Sequence, residues 1–128
     1  MKFNSLFIAF AILILASCTS IQKKPILYIT KEFIDFGEIT NDSLLKLYFE
    51  YENIGSDSLK LLKITADCGC TYAKYDKEVL AVGEKGIIEV LYQPSLNRDS
   101  GFVSKNIALM TNAATPIKII KIKGVVLN

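Results

Sequence analysis

Along most of the chain apolar and polar residues alternate with a period of two. Leu45, Leu47, Phe49 and Tyr51 interleave with Lys46, Tyr48, Glu50 and Glu52. This is the pattern of a strand with one face in a core and the other in water. Asn53-Ile54-Gly55-Ser56-Asp57 then reads as a turn. Beyond it Leu59 and Leu61 fall on one face and Leu62 and Ile64 on the other, a slip of phase that predicts a bulge or a strand changing sheets. Gly83-Glu84-Lys85-Gly86 is a turn ahead of an inward set, Ile88, Val90 and Tyr92, with Glu89 facing water. Pro94 to Gly101 is polar and loop-like, and two more strands follow around Phe102–Thr111 and Pro116–Leu127, separated by Asn112-Ala113-Ala114. In the last strand Ile120 and Ile122 alternate with Lys121 and Lys123. Lysines so placed guard an exposed sheet edge or stand on a solvated face, the alternative being a ligand patch.

With Ile26–Phe36 as the opening strand, about seven short strands spaced by turns, and no convincing helix, predict an all-β, immunoglobulin-like antiparallel β-sandwich. Leu47, Phe49, Ile64, Val90, Ile107 and Ile122 are expected to share one core. The antibody-type landmarks are missing: there is no Trp, and the cysteines do not lie on distant strands.

The amino terminus has a different pattern. Lys2 precedes an unbroken apolar run from Leu6 to Ala16, closed by Leu15-Ala16-Ser17-Cys18. A charged start, a short apolar run and small residues at the cut describe a secretory signal peptide. The run is too short to span a bilayer, which takes about 20 apolar residues. Leu-Ala-Ser-Cys resembles the lipobox of bacterial lipoproteins, in which the Cys thiol is lipidated before cleavage and the new amino terminus is often acylated. Residues 1–17 are therefore expected to be a lipoprotein signal peptide, 18–25 a tether lipidated at Cys18, and 26–128 the sandwich. Two or more acyl chains anchor a protein stably to a membrane. Thr19 and Ser20 follow the Cys with no Asp, and resemblance to common sorting patterns implies outer-membrane retention. No acidic cluster follows either, which in a Bacteroidota-like host implies a domain facing the periplasm.

Composition narrows the chemistry. Once Lys2 leaves with the signal peptide, 14 Lys and Arg face 13 Asp and Glu, so no basic field points to nucleic acid. The chain has no His, which removes Ser-His and Cys-His catalysis and the commonest metal ligand. No cofactor loop and no carboxylate dyad at recognisable spacing is present, so neither an enzyme nor a cofactor is expected.

Several segments together resemble a known family. Ile34-Asp35-Phe36-Gly37-Glu38-Ile39 is similar to its opening signature, and Phe49, Asn53 and Gly55 to its strand end. Cys68-Gly69-Cys70-Thr71 matches its centre. Gly83 and Gly86 with Ile88, Val90 and Tyr92 match its turn and strand; Gly101, Lys105, Ile107 and Asn112, then Ile122, Gly124 and Val126, match its closing strands. The family is domain of unknown function 1573, a bacterial group abundant in Bacteroidota and often carried on lipoproteins. The resemblance runs from about Phe33 to Val126. It departs at Val82, where the family often has Pro before the Gly. It implies an immunoglobulin-like fold near the PapD and ASPM/SPD-2/hydin group and supplies no established activity.

The cysteines hold the remaining chemistry. With Cys18 lipidated, Cys68 and Cys70 are the only thiols, and they lie outside the reducing cytosol. In a straight strand the two would stand too far apart to bridge, but Gly69 permits the tight turn that closes them. A loop of three residues stabilises the fold by only about 1.6 kcal/mol in the chain-entropy model. Three roles stay open: a local oxidised turn beside the core, thiol–disulfide exchange, or a clamp for Cu(I), which thiolates favour. Zinc fits poorly, because a closed site normally takes four ligands. Two weaker signals remain. Asp42-Ser43-Leu44 and Asp57-Ser58-Leu59 resemble the Asp-Ser/Thr-apolar O-glycosylation motif of Bacteroidota envelope proteins, and Tyr72, Tyr75 and Tyr92 either line a binding surface or pack half-buried on strands. The reading that unites these features is a lipid-anchored envelope protein, non-catalytic, working as a binding or assembly module with a protein partner. Its rival is a thiol-active protein that uses Cys68 and Cys70 for Cu(I) or disulfide exchange.

Overall fold

The structure, a computed structural model, describes residues 18–128. The expected signal peptide, residues 1–17, lies outside the described residues. Nine strands follow in chain order: β1 (Leu27–Ile29), β2 (Phe33–Thr40), β3 (Leu45–Asn53), β4 (Leu59–Ala66), β5 (Thr71–Tyr75), β6 (Val79–Leu80), β7 (Lys85–Tyr92), β8 (Gly101–Thr111) and β9 (Ile117–Leu127). The helical content of the described residues is a single 3-10 turn, Pro94–Asn97.

The strands form two sheets, β1-β3-β7-β5 and β2-β9-β8-β4-β6. Their inner faces are supplied by the alternating apolar positions. Phe49, Tyr51, Ile88 and Val90 come from the first sheet, and Leu59, Leu61, Ile107, Leu109, Ile120 and Ile122 from the second. Of the six residues expected in one core, Phe49, Val90, Ile107 and Ile122 are buried, while Leu47 and Ile64 are half-buried and packed against it. The slip of phase at Leu62 is a bulge: the register of β4 on β8 shifts between Leu61 and Lys63. Leu62 turns out to solvent, whereas Ile64, expected on the same face as Leu62, returns with Ala66 to the core side because the extra residue of the bulge resets the alternation.

Three expectations are corrected. Ile26–Phe36 is not one strand. The chain leaves β1, paired to β3, at Thr30 and enters β2 on β9, so the opening segment serves both sheets and raises the strand number. The sandwich is not wholly antiparallel, because β2 runs parallel to β9. Nor is β9 an edge, since β2 and β8 flank it. Lys121 and Lys123 therefore stand on the outer face of an interior strand, where the Lys123 ammonium sits 4.7 Å from the Phe33 ring centroid.

The sandwich has two poles. β3 enters at Leu45 and leaves at Asn53, and the turns after β3, β6 and β8 gather at the Asn53 end. The Asn53 amide ties them together: its Nδ2 donates to the carbonyls of Asp57, at 2.7 Å, and Leu80, at 3.2 Å. Gly83 N–H donates to Asn53 O at 2.8 Å. Asn112 joins the next turn, accepting from Lys60 N–H at 2.8 Å and donating to Ser58 O at 3.1 Å. The amino-terminal segment is stitched to this same pole. Lys24 N–H donates to Ser56 Oγ and Ser56 N–H to Lys24 O, while Ile54 N–H donates to Ile26 O. Gly55 allows the close approach, because a Cβ there would run into the backbone of Lys24 to Ile26.

Candidate functional site

Cys68, Gly69 and Cys70 form the turn between β4 and β5, at the pole opposite the amino-terminal segment. The placement follows from register. Thr71 on β5 pairs with Tyr92 on β7, which pairs with Leu45 at the start of β3. The Cα atoms of Cys68 and Cys70 are 5.3 Å apart and the two sulfurs are bonded. The turn is closed by Thr71 N–H donating to Cys68 O at 3.3 Å, and it is fastened to β7 by Gln93 N–H donating to Cys70 O at 2.9 Å. Cys70 is buried in the core edge and Cys68 half-buried, with Gly69 exposed between them. The Thr71 hydroxyl, itself buried, lies 3.5 Å from Cys68 Sγ and 3.6 Å from Cys70 Sγ.

A shallow groove of about 170 Å³ opens beside this turn, lined by Leu44, Gly69, Cys70, Tyr72, Leu91 and Leu96 together with the polar Gln93. Leu44, Tyr72 and Leu96 present more than half of their surfaces to solvent. Together they form a small exposed apolar patch beside the cysteine turn. Of the three tyrosines singled out from sequence, Tyr72 belongs to this groove, Tyr75 packs half-buried, and Tyr92 is wholly buried. Among the described residues no group of three or more His, Cys, Asp or Glu comes together to hold a metal ion.

Behind the groove lies a polar cluster that sequence reasoning missed. The Tyr92 hydroxyl donates to Asp99 Oδ2 at 2.7 Å, Asn97 Nδ2 donates to Asp99 Oδ1 at 2.7 Å, and Lys105 Nζ pairs with Asp99 Oδ2 at 3.0 Å. Burial alone would push the Asp99 carboxyl up. The hydrogen bonds from Tyr92, Asn97 and Lys105, with the charge of Lys105, outweigh that and hold it below its ordinary value. Tyr92 is pushed well above its ordinary value by burial and by its bond to Asp99. The available signal was Tyr92 itself. A tyrosine at an inward position of a strand needs a partner for its hydroxyl, and the polar loop from Pro94 supplies one.

The remaining candidates are scattered. Cys18 is exposed at the start of the described residues. Ser58 is exposed at the Asn53 pole, whereas Ser43 is half-buried at the groove pole, with its hydroxyl 3.1 Å from that of Thr40. No helix among the described residues is long and apolar enough to cross a membrane.

Comparison with known proteins agrees with the fold. The family described as "Protein of unknown function (DUF1573)" matches residues 27–126. A protein of unknown function from Porphyromonas gingivalis W83 superposes with a TM-score of 0.74 at 17% identity, over 86% of this chain and 50% of that one. The chain thus spans half the length of that protein. The ASH/PapD-like domain 7 of human CEP192 superposes with a TM-score of 0.63 at 9% identity, covering 88% of this chain and 93% of that domain. The VesB protease of Vibrio cholerae superposes with a TM-score of 0.60 at 16% identity, over 80% of this chain but 32% of the protease. At these identities the likeness is one of fold alone. No curated protein matches in sequence.

Proposed function

The chain belongs to the DUF1573 family; from the Leu15-Ala16-Ser17-Cys18 pattern and the two-sheet fold we propose that it is a lipid-anchored, non-catalytic module of the bacterial cell envelope. Cys18 carries the lipid in the outer membrane, the domain faces the periplasm, and the groove beside Cys68–Cys70 receives a protein partner. The observation that carries this reading is the separation of the two ends. The segment leading back to Cys18 is fastened at the Asn53 pole, while the apolar groove lies at the other end of β3. Nine residues of strand separate them, about 27 Å at the usual rise. A chain held by its amino end thus presents the groove away from its anchor.

Two measurements test the reading. Cys18→Ser should move the protein from the detergent phase to the aqueous phase; wild-type protein that partitions into water by itself would refute the anchor. A photo-crosslinking residue in place of Leu96 should capture a discrete envelope protein, and the same residue in place of Ser104, on the outer face of the second sheet, should not.

A second reading is favoured by one observation, the buried Thr71 hydroxyl within 3.6 Å of both sulfurs. In thiol–disulfide exchange a donor thiolate would bond to Cys68 Sγ while the Cys68–Cys70 bond breaks and Cys70 leaves as a thiolate. Thr71 is placed to donate a hydrogen bond to that thiolate. A pair that stays oxidised below about −300 mV behaves as a structural bridge and excludes this role.

A further inference from the structure

The Asn53 pole carries an anomaly of its own. Turn tips are normally Gly, Asn, Asp, Ser or Pro, because these residues suit the backbone and solvate well. Two tips here carry branched apolar residues instead. Ile54, in the turn after β3, is 52% exposed, and Val82, in the turn after β6, is 58% exposed. The turns that carry them are neighbours. The backbones of the two turns are joined by Asn53 N–H to Glu84 O and Gly83 N–H to Asn53 O. Ile26, at the entry to β1, and Ile117, the first residue of β9, are exposed on the same rim. The rim continues through a groove of about 360 Å³ that runs between Pro25–Leu27 and the Ala113–Thr115 turn.

The same pole is where the chain departs towards Cys18. Lys24 is the last residue hydrogen-bonded to the domain. Six Cα steps separate it from Cys18, a reach of at most about 20 Å even when fully extended. Within that span Ile21 is 90% exposed, and Lys23 and Lys24 are both exposed. A short tether makes any contact between pole and bilayer intramolecular, so an interaction too weak to bind from solution still sets orientation.

On the reading that Cys18 is lipidated, we propose that this pole is a membrane-facing surface. Ile54, Val82 and Ile26 rest in the headgroup–acyl boundary of the leaflet that holds the lipid, and Lys23 and Lys24 lie against its anionic phosphates. Apolar side chains flanked by lysines are the composition that interfacial segments use to lie on a bilayer. Of the acidic groups on these turns, Glu84 is paired with Lys77, while the Asp57 carboxylate, which accepts from Ser58 N–H, keeps its charge and offsets only one of the two tether lysines. The contact fixes the long axis of the domain across the membrane surface and holds the Cys68–Cys70 groove at the far end, facing the periplasm.

The test uses the full lipidated chain in vesicles of phosphatidylethanolamine and phosphatidylglycerol. An environment-sensitive fluorophore is placed on Val82→Cys or on Leu96→Cys; Cys68 and Cys70 are bonded and Cys18 is a thioether, so the new thiol alone takes the label. The label at 82 should shift to the blue and be quenched by spin-labelled lipid, and the label at 96 should behave as in water. Combining Ile54→Asp with Val82→Asp, and reporting from Ile117→Cys, should remove the shift while the protein stays with the vesicles through its lipid. Mass spectrometry of the same sample separates the failures. A lipidated chain whose label at 82 remains water-like, or whose labels at 82 and 96 behave alike, overturns the orientation and leaves the anchor intact. An unmodified Cys18 overturns the anchor and the orientation with it. A blue shift at 82 that resists lipid quenching assigns the pole to a protein contact and overturns the membrane face.

Discussion

Asp99 shows how one residue can concentrate the energetics of a small domain. It is buried, accepts from Tyr92 and Asn97, and pairs with a Lys105 whose side chain is 12% exposed. Breaking a buried pair leaves a charge without compensation, so Asp99→Asn should cost about 3 kcal/mol. The sign of the pH dependence follows from the lowered carboxyl. Its contribution is fully present above the pKa of the unfolded chain and is lost as the pH falls through the depressed folded value. Urea unfolding between neutral pH and pH 3 should show wild type losing its advantage over Asp99→Asn on acidification; parallel curves would refute the account. Tyr51 and Tyr92 act on the opposite side. Burial raises both, with Asp76 adding to Tyr51 and the bond to Asp99 adding to Tyr92. Their contribution is present below the ordinary tyrosine pKa and is lost as the pH climbs towards the raised values. In the core proper, Phe49→Ala should cost about 3–5 kcal/mol, the usual range for a buried Phe; a denaturation midpoint close to that of wild type would show that Phe49 is not packed as described.

At the level of elements, turns and bulges decide where each face points. The Ala81–Glu84 turn is closed by Glu84 N–H donating to Ala81 O at 3.0 Å, and Gly83 has φ +79°. A positive φ at the third position identifies a type II turn, whose second position favours Pro because the ring presets φ. Val82 occupies that second position. Val82→Pro should therefore stabilise the domain by about 0.4–1 kcal/mol by restricting the unfolded chain, which thermal unfolding would register as a higher midpoint. A lower midpoint would mean that Val82 does not have the φ such a turn requires. The bulge at Leu62 was legible because two phases of alternation met there. The crossing at Thr30–Glu32 was not, since Ile26–Phe36 reads as one apolar-rich segment and only the pairing of its halves to different sheets divides it. The short β6 has two residues, too few to show any period.

For the molecule as a whole, the Cys68–Cys70 pair and the hydrophobic core are separable. The bridge encloses three residues, so the double Cys→Ser variant should fold and lose at most about 2 kcal/mol. A calorimetric loss well beyond that would make the turn a structural keystone. Unchanged stability with altered partner capture would assign it to recognition instead. The groove beside the pair was only partly readable. Cys68, Cys70 and Tyr72 stood out by type, whereas Leu44, Leu91 and Leu96 come from separate segments and converge only through the folding of β3, β5 and β7.

The sequence by itself determined the all-β class, the inward residues of most strands, the turns and the cysteine turn. Each of these is a local property, written in a period of two, a Gly or Asn at a corner, or two Cys one residue apart. Tertiary structure alone decided which strands lie at edges, why Lys121 and Lys123 are interior to their sheet, and how Tyr92, Asp99 and Lys105 meet. It also decided that the amino-terminal segment and the Cys68–Cys70 groove occupy opposite poles. Those are relations between distant residues, and alternation along a strand reports which way a side chain faces but not which strand lies beside it.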